Sequence, residues 1–542
     1  MLNERYKNPM SALFTNQRYY DSWKKVETAV IHVRAHDEVN PSAEHQELLQ
    51  ILDKIEHVDA ARVDEIENKT KHDMNAHVRA VAEQTGVIAR EMGLDPTLGR
   101  LYHQDLTSYD IEDPAQSRLL REAGQMLYDK LTKLVDAAHK KATMFKYAPA
   151  NGFTHNQIAE PVTIGKRFLD FEISLRVQLD RFKDEIEKIN LCKIKGAVGI
   201  YGGNLSPKFE ADVARELGMR VAPIATQILP IENLLQFFNP LLVIACSVKN
   251  FTQNLRLEAG SLAGEVKEGF SKGQTGSSTM TAKENTINLE QLAGAARKMQ
   301  ALYAELIGAT ETWQERDISN SFQVQRHIIP EMFETMWHIA ARLASSLEDL
   351  RIFPIQALRN ICNHGDYMFA GAAKGILAKN LSLNNDKVYE LVQGPSIAAK
   401  SSAEFRGRPV SLYDALAQKV REHVAVADRG DAILAELKTA MSLPYNLRNI
   451  DGYWLNAVRD HPNYPRVLQN SIHADIVDYI IESGQLEKFD KSDSEEWIRT
   501  YQEIVLENYG HSVSEDLPSE AFNKLVAAAA RFRAALENTN TK

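Results

Sequence analysis

The sequence is short of chain breakers. Its 542 residues include 27 glycines and 18 prolines, about 5% and 3.3% against roughly 7% and 5% in average proteins. That shortage excludes a collagenous or low-complexity chain and argues against a turn-dense β-sandwich or barrel. Cysteine is scarcer still, with Cys192, Cys246 and Cys362 far apart and no CxxC pair. So sparse and odd a set reads as reduced thiols in a cytoplasmic protein and supplies no zinc framework. Cations are in deficit, 63 Lys+Arg against 73 Asp+Glu for a net charge of −10. Non-specific nucleic-acid binding is therefore not suggested, although a local basic pocket for a small anion is not forbidden. Long apolar runs are also missing. The start lacks the apolar core of a secretory signal. The stretch Leu234 to Cys246 is interrupted by Gln236, Asn239 and Pro240 and reads as too short to span a bilayer. The expectation is a soluble, cytoplasmic, helix-rich protein of two to four structural units.

Helical periodicity is what the sequence has in abundance. Phe168, Phe171, Leu175, Leu179, Phe182, Ile186 and Ile189 recur every three or four residues, with charged residues between them. Leu289, Leu292, Ala296, Met299, Leu302 and Leu306 form a second stripe, and Ile329, Met332, Met336, Ile339, Leu343 and Leu347 a third. Leu120, Leu127, Leu131 and Leu134 give a fourth. Each reads as a core-facing helix surface, and several long helices in succession imply an elongated bundle. Breaks are expected at the polar stretch Thr107 to Pro114, the loop Ala148 to Gly152, the turn Gly196 to Asn204 and the irregular segment Gly264 to Ala282. These divide the chain into an N-terminal helical domain (1–114), a central long-helix bundle (115–370) with a loop at 264–286, and a C-terminal helical domain with an extension (371–542).

Two strips carry residues suited to chemistry. Gly276-Ser-Ser-Thr-Met280 alone reads as a flexible loop, neither a nucleophile elbow nor a phosphate loop. Lys283, Asn285 and Glu290 follow it closely. A serine acts as a base only when cations and donated hydrogen bonds stabilise its alkoxide, and Lys283 with the loop amides could supply them. Thr154 to Arg167 gathers a hydroxyl, the imidazole of His155, amides, a lysine and an arginine where a loop leads into a helix, and an imidazole suits general-acid work. His72-Asp73, His77 and His103 read as surface polar residues without metal-ligand spacing.

Taken together these strips resemble the fumarase/aspartase superfamily, whose signature GSSxMPxKxNP is written here from Gly276 to Thr286. Within it the chain is similar to the adenylosuccinate lyases. Lys71-His-Asp-Met-Asn-Ala-His-Val78, the strip from Thr154 to Arg167, Gly196-Ala-Val-Gly199, Thr226-Gln-Ile-Leu-Pro230 and Trp313 to Ser321 match further blocks in that family's order. Arg5-Tyr6, with Trp23 and Glu27, fits the N-terminal block, and the matches run to about Gln393. Both signature prolines are replaced, by Thr281 and Thr286. Asp105 stands where the family pattern has glycine, Asn254 replaces an acid before Arg256, and one extra residue precedes Arg326.

The resemblance implies an all-α fold of three helical domains around a tetrameric helical core. It implies β-elimination of fumarate from adenylosuccinate, giving AMP, and from the succinylated aminoimidazole carboxamide ribotide of purine synthesis. Ser277 would be the base and His155 the acid, with Glu290 holding the imidazole. Thr107, Ser108, Lys283 and Asn285 would bind the succinyl carboxylates and Gln227 the intermediate. Arg5, Tyr6, Arg316 and Ser321 would take the phosphate and ribose, with His72 near the phosphate. Asp73, Thr154 and Arg326 complete the implied substrate contacts. No metal or organic cofactor, nucleic acid or membrane is implied, and each site would be shared between subunits of a homotetramer. The alternatives are another superfamily lyase, of the argininosuccinate type, and a non-catalytic helical scaffold.

Overall fold

The computed structural model describes residues 6–459, apart from 40, 271–272, 275, 312–313, 318–322 and 407–409. Arg5, Ser321 and the C-terminal extension lie outside the described residues. All four apolar stripes form helices, and every residue named in them is buried. The long helices are Ser108–Met144, Ile164–Lys188, Glu232–Glu258, Ile287–Gly308 and Ile329–Glu348. The chain gathers into two compact units. The first comprises residues 1–134, 175–250 and 291–343, and the second residues 135–174, 251–290 and 344 onward. Each long helix contributes residues to both.

In the first unit, helices Asn16–Ala35, Ala43–Leu52, Ala60–Thr70 and Asp73–Met92 enclose a core that includes Tyr20, Trp23, Leu48, Ile51, Met74 and Val81. The first three start where a side-chain oxygen of Thr15, Ser42 or Asp59 accepts an otherwise unpaired backbone N–H. Such caps contribute about 1 kcal/mol each. A second cluster sets Phe237 against Phe182 and Phe238, at 5.3 and 5.0 Å, and Phe333 against Phe238 at 5.4 Å. These rings bury the middle of Glu232–Glu258. By length and composition this 27-residue helix could cross a membrane. Gln236, Asn239 and Pro240 interrupt its apolar run without ending the helix. Gln236 and Asn239 lie on its exposed side, while Phe237, Phe238, Leu241 and Ile244 face the core.

Two expected breaks are regular structure. The polar stretch 107–114 is the beginning of Ser108–Met144, with Pro114 inside the helix. Two of its three buried acids are satisfied by other segments. Asp110 accepts hydrogen bonds from Lys193 Nζ at 2.8 Å, Lys195 N at 3.0 Å and Gly196 N at 3.1 Å, and Asp113 accepts from Leu229 N at 2.7 Å. Acids in the opening turns also complement the helix dipole.

In the second unit, the supposed loop 148–152 opens a hairpin of antiparallel strands, Pro149–Thr154 and Gln157–Thr163. Gly152 is needed there, since a Cβ would lie 2.3 Å from the Glu160 carbonyl oxygen across the pair. Phe171 stacks on Phe251 at 4.0 Å. The chain then runs through Pro354–His364, Ala370–Asn380, Asn385–Arg406, Leu412–His423 and Ala427–Ala440 to Ile450–Arg459. The Asp366 carboxylate binds the backbone N–H groups of Leu412 and Tyr413 at 2.7 and 2.9 Å and so anchors one helix start.

Candidate active site

His155 and Asn156 form the two-residue turn of the hairpin, with φ of 53° and 59°. Two consecutive positive φ values match the right-handed twist of paired strands, and asparagine tolerates them best among non-glycine residues. The turn leaves His155 exposed to solvent, beside exposed Thr154. Gln157 accepts a hydrogen bond from Lys400 at 3.0 Å. At the hairpin base Arg167 donates to the Asn151 carbonyl at 2.5 Å and pairs with Glu258 at 3.0 Å and Glu265 at 3.4 Å. Burial pushes the Glu258 carboxyl up to about 7, against the pull of Arg167.

The loop bearing Ser277 is closed at its base. Glu268 accepts the N–H of Leu289 at 2.7 Å and of Asn288 at 3.1 Å, so it caps Ile287–Gly308 from the other side of the loop. Glu284 pairs with Lys267 at 2.8 Å and Arg351 at 3.3 Å. At the tip the chain doubles back so tightly that a Cβ on Gly276 would meet the Lys283 carbonyl oxygen at 2.0 Å. Asn285 Nδ2 donates to the Gly276 carbonyl at 2.7 Å. The Ser277 hydroxyl accepts the N–H of Met280 at 3.0 Å and of Thr279 at 3.3 Å. Two donated amides favour an alkoxide over an alcohol. Lys283 is exposed; its backbone N–H donates to the Met280 carbonyl at 3.0 Å, and among the described residues its ammonium carries no hydrogen bond or ion pair. Glu290 accepts the Thr286 hydroxyl at 3.3 Å and lies 3.7 Å from Arg256. Among the described residues no hydrogen bond joins His155 to Ser277 or Glu290 within the chain.

The first unit holds a different set. Gln227 donates to the Thr107 hydroxyl at 3.3 Å and accepts from Arg316 at 3.0 Å, and the Arg316 guanidinium lies over the Tyr109 ring at 4.2 Å. These contacts bring Thr107, Gln227 and Arg316 together at the N-terminus of Ser108–Met144, with half-buried Ser108 as its first residue. A helix N-terminus attracts anions. Arg326 pairs with Asp73 at 3.0 Å and lies over the Tyr19 and Trp23 rings, at 4.7 and 5.7 Å. It sits in a π-helical turn, Val324–Ile328. Such a turn takes in one extra residue without breaking the helix. His72 is exposed and its ring nitrogen accepts the Asn75 N–H at 3.3 Å. Tyr6 packs edge-on to His338 at 5.6 Å.

Two histidines expected at the surface are not there. His77 is buried, 3.0 Å from the Tyr102 hydroxyl, and burial with the nearby His103 charge pushes its pKa down to about 3. His103 lies 2.5 Å from the wholly buried Glu27. Burial opposes its charge, but Glu27 outweighs burial and raises its pKa. Asp105, the glycine replacement, has φ of 60°, the conformation in which glycine is cheapest. Asn204 at 3.2 Å and Arg34 at 3.7 Å hold it there.

Sequence reading missed Glu112. It is buried, and burial first, then Asp73, pushes its carboxyl up to about 8 against the pull of Arg326 and Arg316. Its only sequence signal was its place four residues after Ser108, on the same helix face. Among the described residues no group of three or more His, Cys, Asp or Glu is arranged to hold a metal ion.

A family pattern described as "Lyase" matches residues 4–301. The adenylosuccinate lyase of Deinococcus radiodurans is 31% identical over 452 residues, 83% of this chain and 98% of that protein. The adenylosuccinate lyase of Bacillus subtilis is 32% identical over 397 residues, 73% and 88% of the two chains. Among solved structures, fumarate lyase from Mesorhizobium sp. BNC1 aligns with a TM-score of 0.71 at 17% identity, over 85% of this chain and 100% of that one. The 3-carboxy-cis,cis-muconate lactonizing enzyme from Pseudomonas putida aligns with a TM-score of 0.67 at 20% identity, over 84% and 97%. The solved structures establish the fold and the sequence relatives the family. The chain belongs to the adenylosuccinate lyase family of the fumarase/aspartase superfamily.

Proposed function

We infer that this chain is a carbon–nitrogen lyase of purine nucleotide biosynthesis. It eliminates fumarate from adenylosuccinate to leave AMP, and from the succinyl-aminoimidazole carboxamide ribotide. The observation that carries the chemistry is the Ser277 hydroxyl accepting two loop amides, in a loop whose Lys283 ammonium is unpaired among the described residues. The Ser277 alkoxide takes the proton from the succinyl carbon next to a carboxylate. The electron pair left behind is delocalised into that carboxylate, giving an intermediate that needs cations and hydrogen-bond donors. The C–N bond then breaks, and His155 gives its proton to the departing nitrogen.

Lys283, Thr107, Ser108 and Asn285 bind the succinyl carboxylates. Asn285 spends one amide hydrogen on Gly276 and retains a second for substrate. Gln227, fixed between Thr107 and Arg316, faces the intermediate. Arg5, Tyr6, Arg316 and Ser321 take the phosphate and ribose, with His72 near the phosphate and Asp73, Thr154 and Arg326 bordering the substrate. Among the described residues the His155 ring has no hydrogen bond or ion pair, and Glu290 orients it from another subunit of a homotetramer, in the cytoplasm.

The test is fumarate release from adenylosuccinate by the purified protein. The wild type should turn over, and Ser277→Ala and His155→Ala should each lose at least about 100-fold in kcat. A silent wild type, or unimpaired variants, refutes the assignment. Light scattering should give a tetramer, and an active monomer would refute the shared site.

A further inference from the structure

A cleft of about 640 Å³ opens on the first unit, lined by residues that the proposed reaction does not use. Its walls come from helices Asn16–Ala35 and Ser108–Met144, with Asn190 and Leu217 completing it. Four cations face it, Arg18, Lys25, Arg118 and Arg121, with Asp21, Glu122 and Asp129. The acids are already engaged. Glu122 pairs with Arg18 at 2.6 Å. Asp21 accepts from Val58 N at 2.9 Å and Gln17 at 3.0 Å and lies 2.9 Å from the His57 ring, while Asp129 accepts from Gln125 at 3.0 Å. Arg121 turns to Glu187 at 3.2 Å.

Lys25 and Arg118 are left over. Among the described residues Arg118 donates only to a neutral oxygen, the Leu217 carbonyl, at 3.1 Å. Among the described residues the Lys25 ammonium has no hydrogen bond or ion pair. The two cations oppose each other: Arg118 is the first cause of the lowered Lys25 pKa, ahead of burial, and burial lowers that of Arg118. Glu122, committed to Arg18, offsets this only in part, since both pKa values stay lowered against its pull, and an anion between the two cations would relieve the remaining repulsion. Leu119, Met126 and Leu217 give the cleft an apolar side, and Ser22, Gln125 and Asn190 give it neutral polar groups. Its volume falls within the range of small-molecule sites, roughly 300–1,000 Å³. Arg118 lies ten residues along the helix from Ser108, or about 15 Å.

We propose that this cleft binds a phosphorylated small molecule, with Lys25 and Arg118 as its anion ligands, at a site separate from the catalytic one. The test titrates the purified full-length protein at low salt with inorganic pyrophosphate and, in a parallel arm, with ADP. Calorimetry is run on the wild type, Lys25→Met, Arg118→Met, Arg118→Lys and Arg316→Gln. The methionines keep the aliphatic stems, and melting curves without ligand check that each variant folds. Binding should persist in Arg316→Gln, which lacks the proposed catalytic phosphate ligand, and in Arg118→Lys. It should weaken at least about tenfold in Lys25→Met and Arg118→Met, whose fumarate release stays at the wild-type rate. A preference for ADP identifies a nucleotide and equal binding an inorganic polyphosphate, and either supports the site. Binding that disappears with Arg316→Gln, or that is unchanged in both methionine variants, overturns it. Because binding is read without turnover, this outcome is independent of the lyase assignment.

Discussion

Gly276→Ala isolates the geometry of the signature loop from its chemistry. The added methyl would sit 2.0 Å from the Lys283 carbonyl oxygen, where ordinary contact begins near 3.4 Å. Both partners are backbone, so no rotamer change relieves the overlap. The two limbs of the loop must part by more than an ångström, and the 2.7 Å bond from Asn285 to the Gly276 carbonyl is lost. Ser277 is the next residue and moves with its neighbour. Misplacing a reacting group by 1 Å costs about 100-fold in rate, or about 2.7 kcal/mol of barrier. Because Gly276 is half-buried in a loop, the unfolding midpoint should stay near the wild-type value. Gly273→Ala is the control. Its φ is 87°, but a Cβ there has nothing within 4 Å, so it carries backbone strain of about 1–2 kcal/mol without a clash. Initial rates of fumarate release on both variants decide the matter. A Gly276→Ala enzyme within threefold of wild-type kcat, or one no worse than Gly273→Ala, would refute the reasoning.

Glu112 makes a pH-dependent prediction. Its folded pKa of about 8 exceeds the unfolded value of 4.5, so the unfolded chain releases this proton first and stability falls as pH rises from about 4.5 to 8. The cost is about 1 kcal/mol at pH 5 and about 3 kcal/mol at pH 7. Glu112→Gln should remove it, so the gap in urea midpoint between variant and wild type widens from pH 5 to 7, and a pH-independent gap would contradict the burial argument. Arg326→Gln leaves Asp73 without its 3.0 Å partner and should raise KM about tenfold with little change in kcat, whereas a loss confined to kcat would assign Arg326 a different role. Glu268→Ala unpairs the N–H groups of Asn288 and Leu289 and should cost about 1–3 kcal/mol locally. Limited proteolysis within 269–287 should accelerate, and unchanged cleavage would count against the clamp.

How much could be read from the sequence differs by the kind of signal. The four apolar stripes are buried throughout because a 3.6-residue period leaves one face for a helix to hide. Breakers misled where context outweighed them. Pro114 and the acids around it read as a boundary, yet Lys193, Gly196 and Leu229 satisfy Asp110 and Asp113 inside a continuous helix. Asn151-Gly152 read as a loop, and cross-strand packing made it a strand. The types of the candidate site residues were legible from the motifs, but their partners were not. Glu290 meets Arg256, Asp73 meets Arg326, and Glu268 closes the loop that bears the proposed base. Each of the last two pairings joins residues far apart in sequence or across a loop, and no local pattern encodes such a choice.

The placement of the candidate residues has a single physical cause. Thr107 precedes Ser108–Met144, His155 lies between that helix and Ile164–Lys188, and Gln227 stands just before Glu232–Glu258. Ser277 lies between Glu232–Glu258 and Ile287–Gly308, and Arg316 between Ile287–Gly308 and Ile329–Glu348. The helix faces are committed to burying leucine, phenylalanine and methionine, so a titrating side chain placed there would be desolvated, as Glu112 is. Most of the candidate polar groups therefore sit at the joins or in the first turn of a helix, where glycines 152 and 276 permit approaches that a Cβ would block. A chain with few breakers can place them at these joins and leave the helices unbroken. The scarcity of glycine and the concentration of chemistry between helices are therefore one property, and adding glycines within a helix face should loosen the scaffold without improving the site.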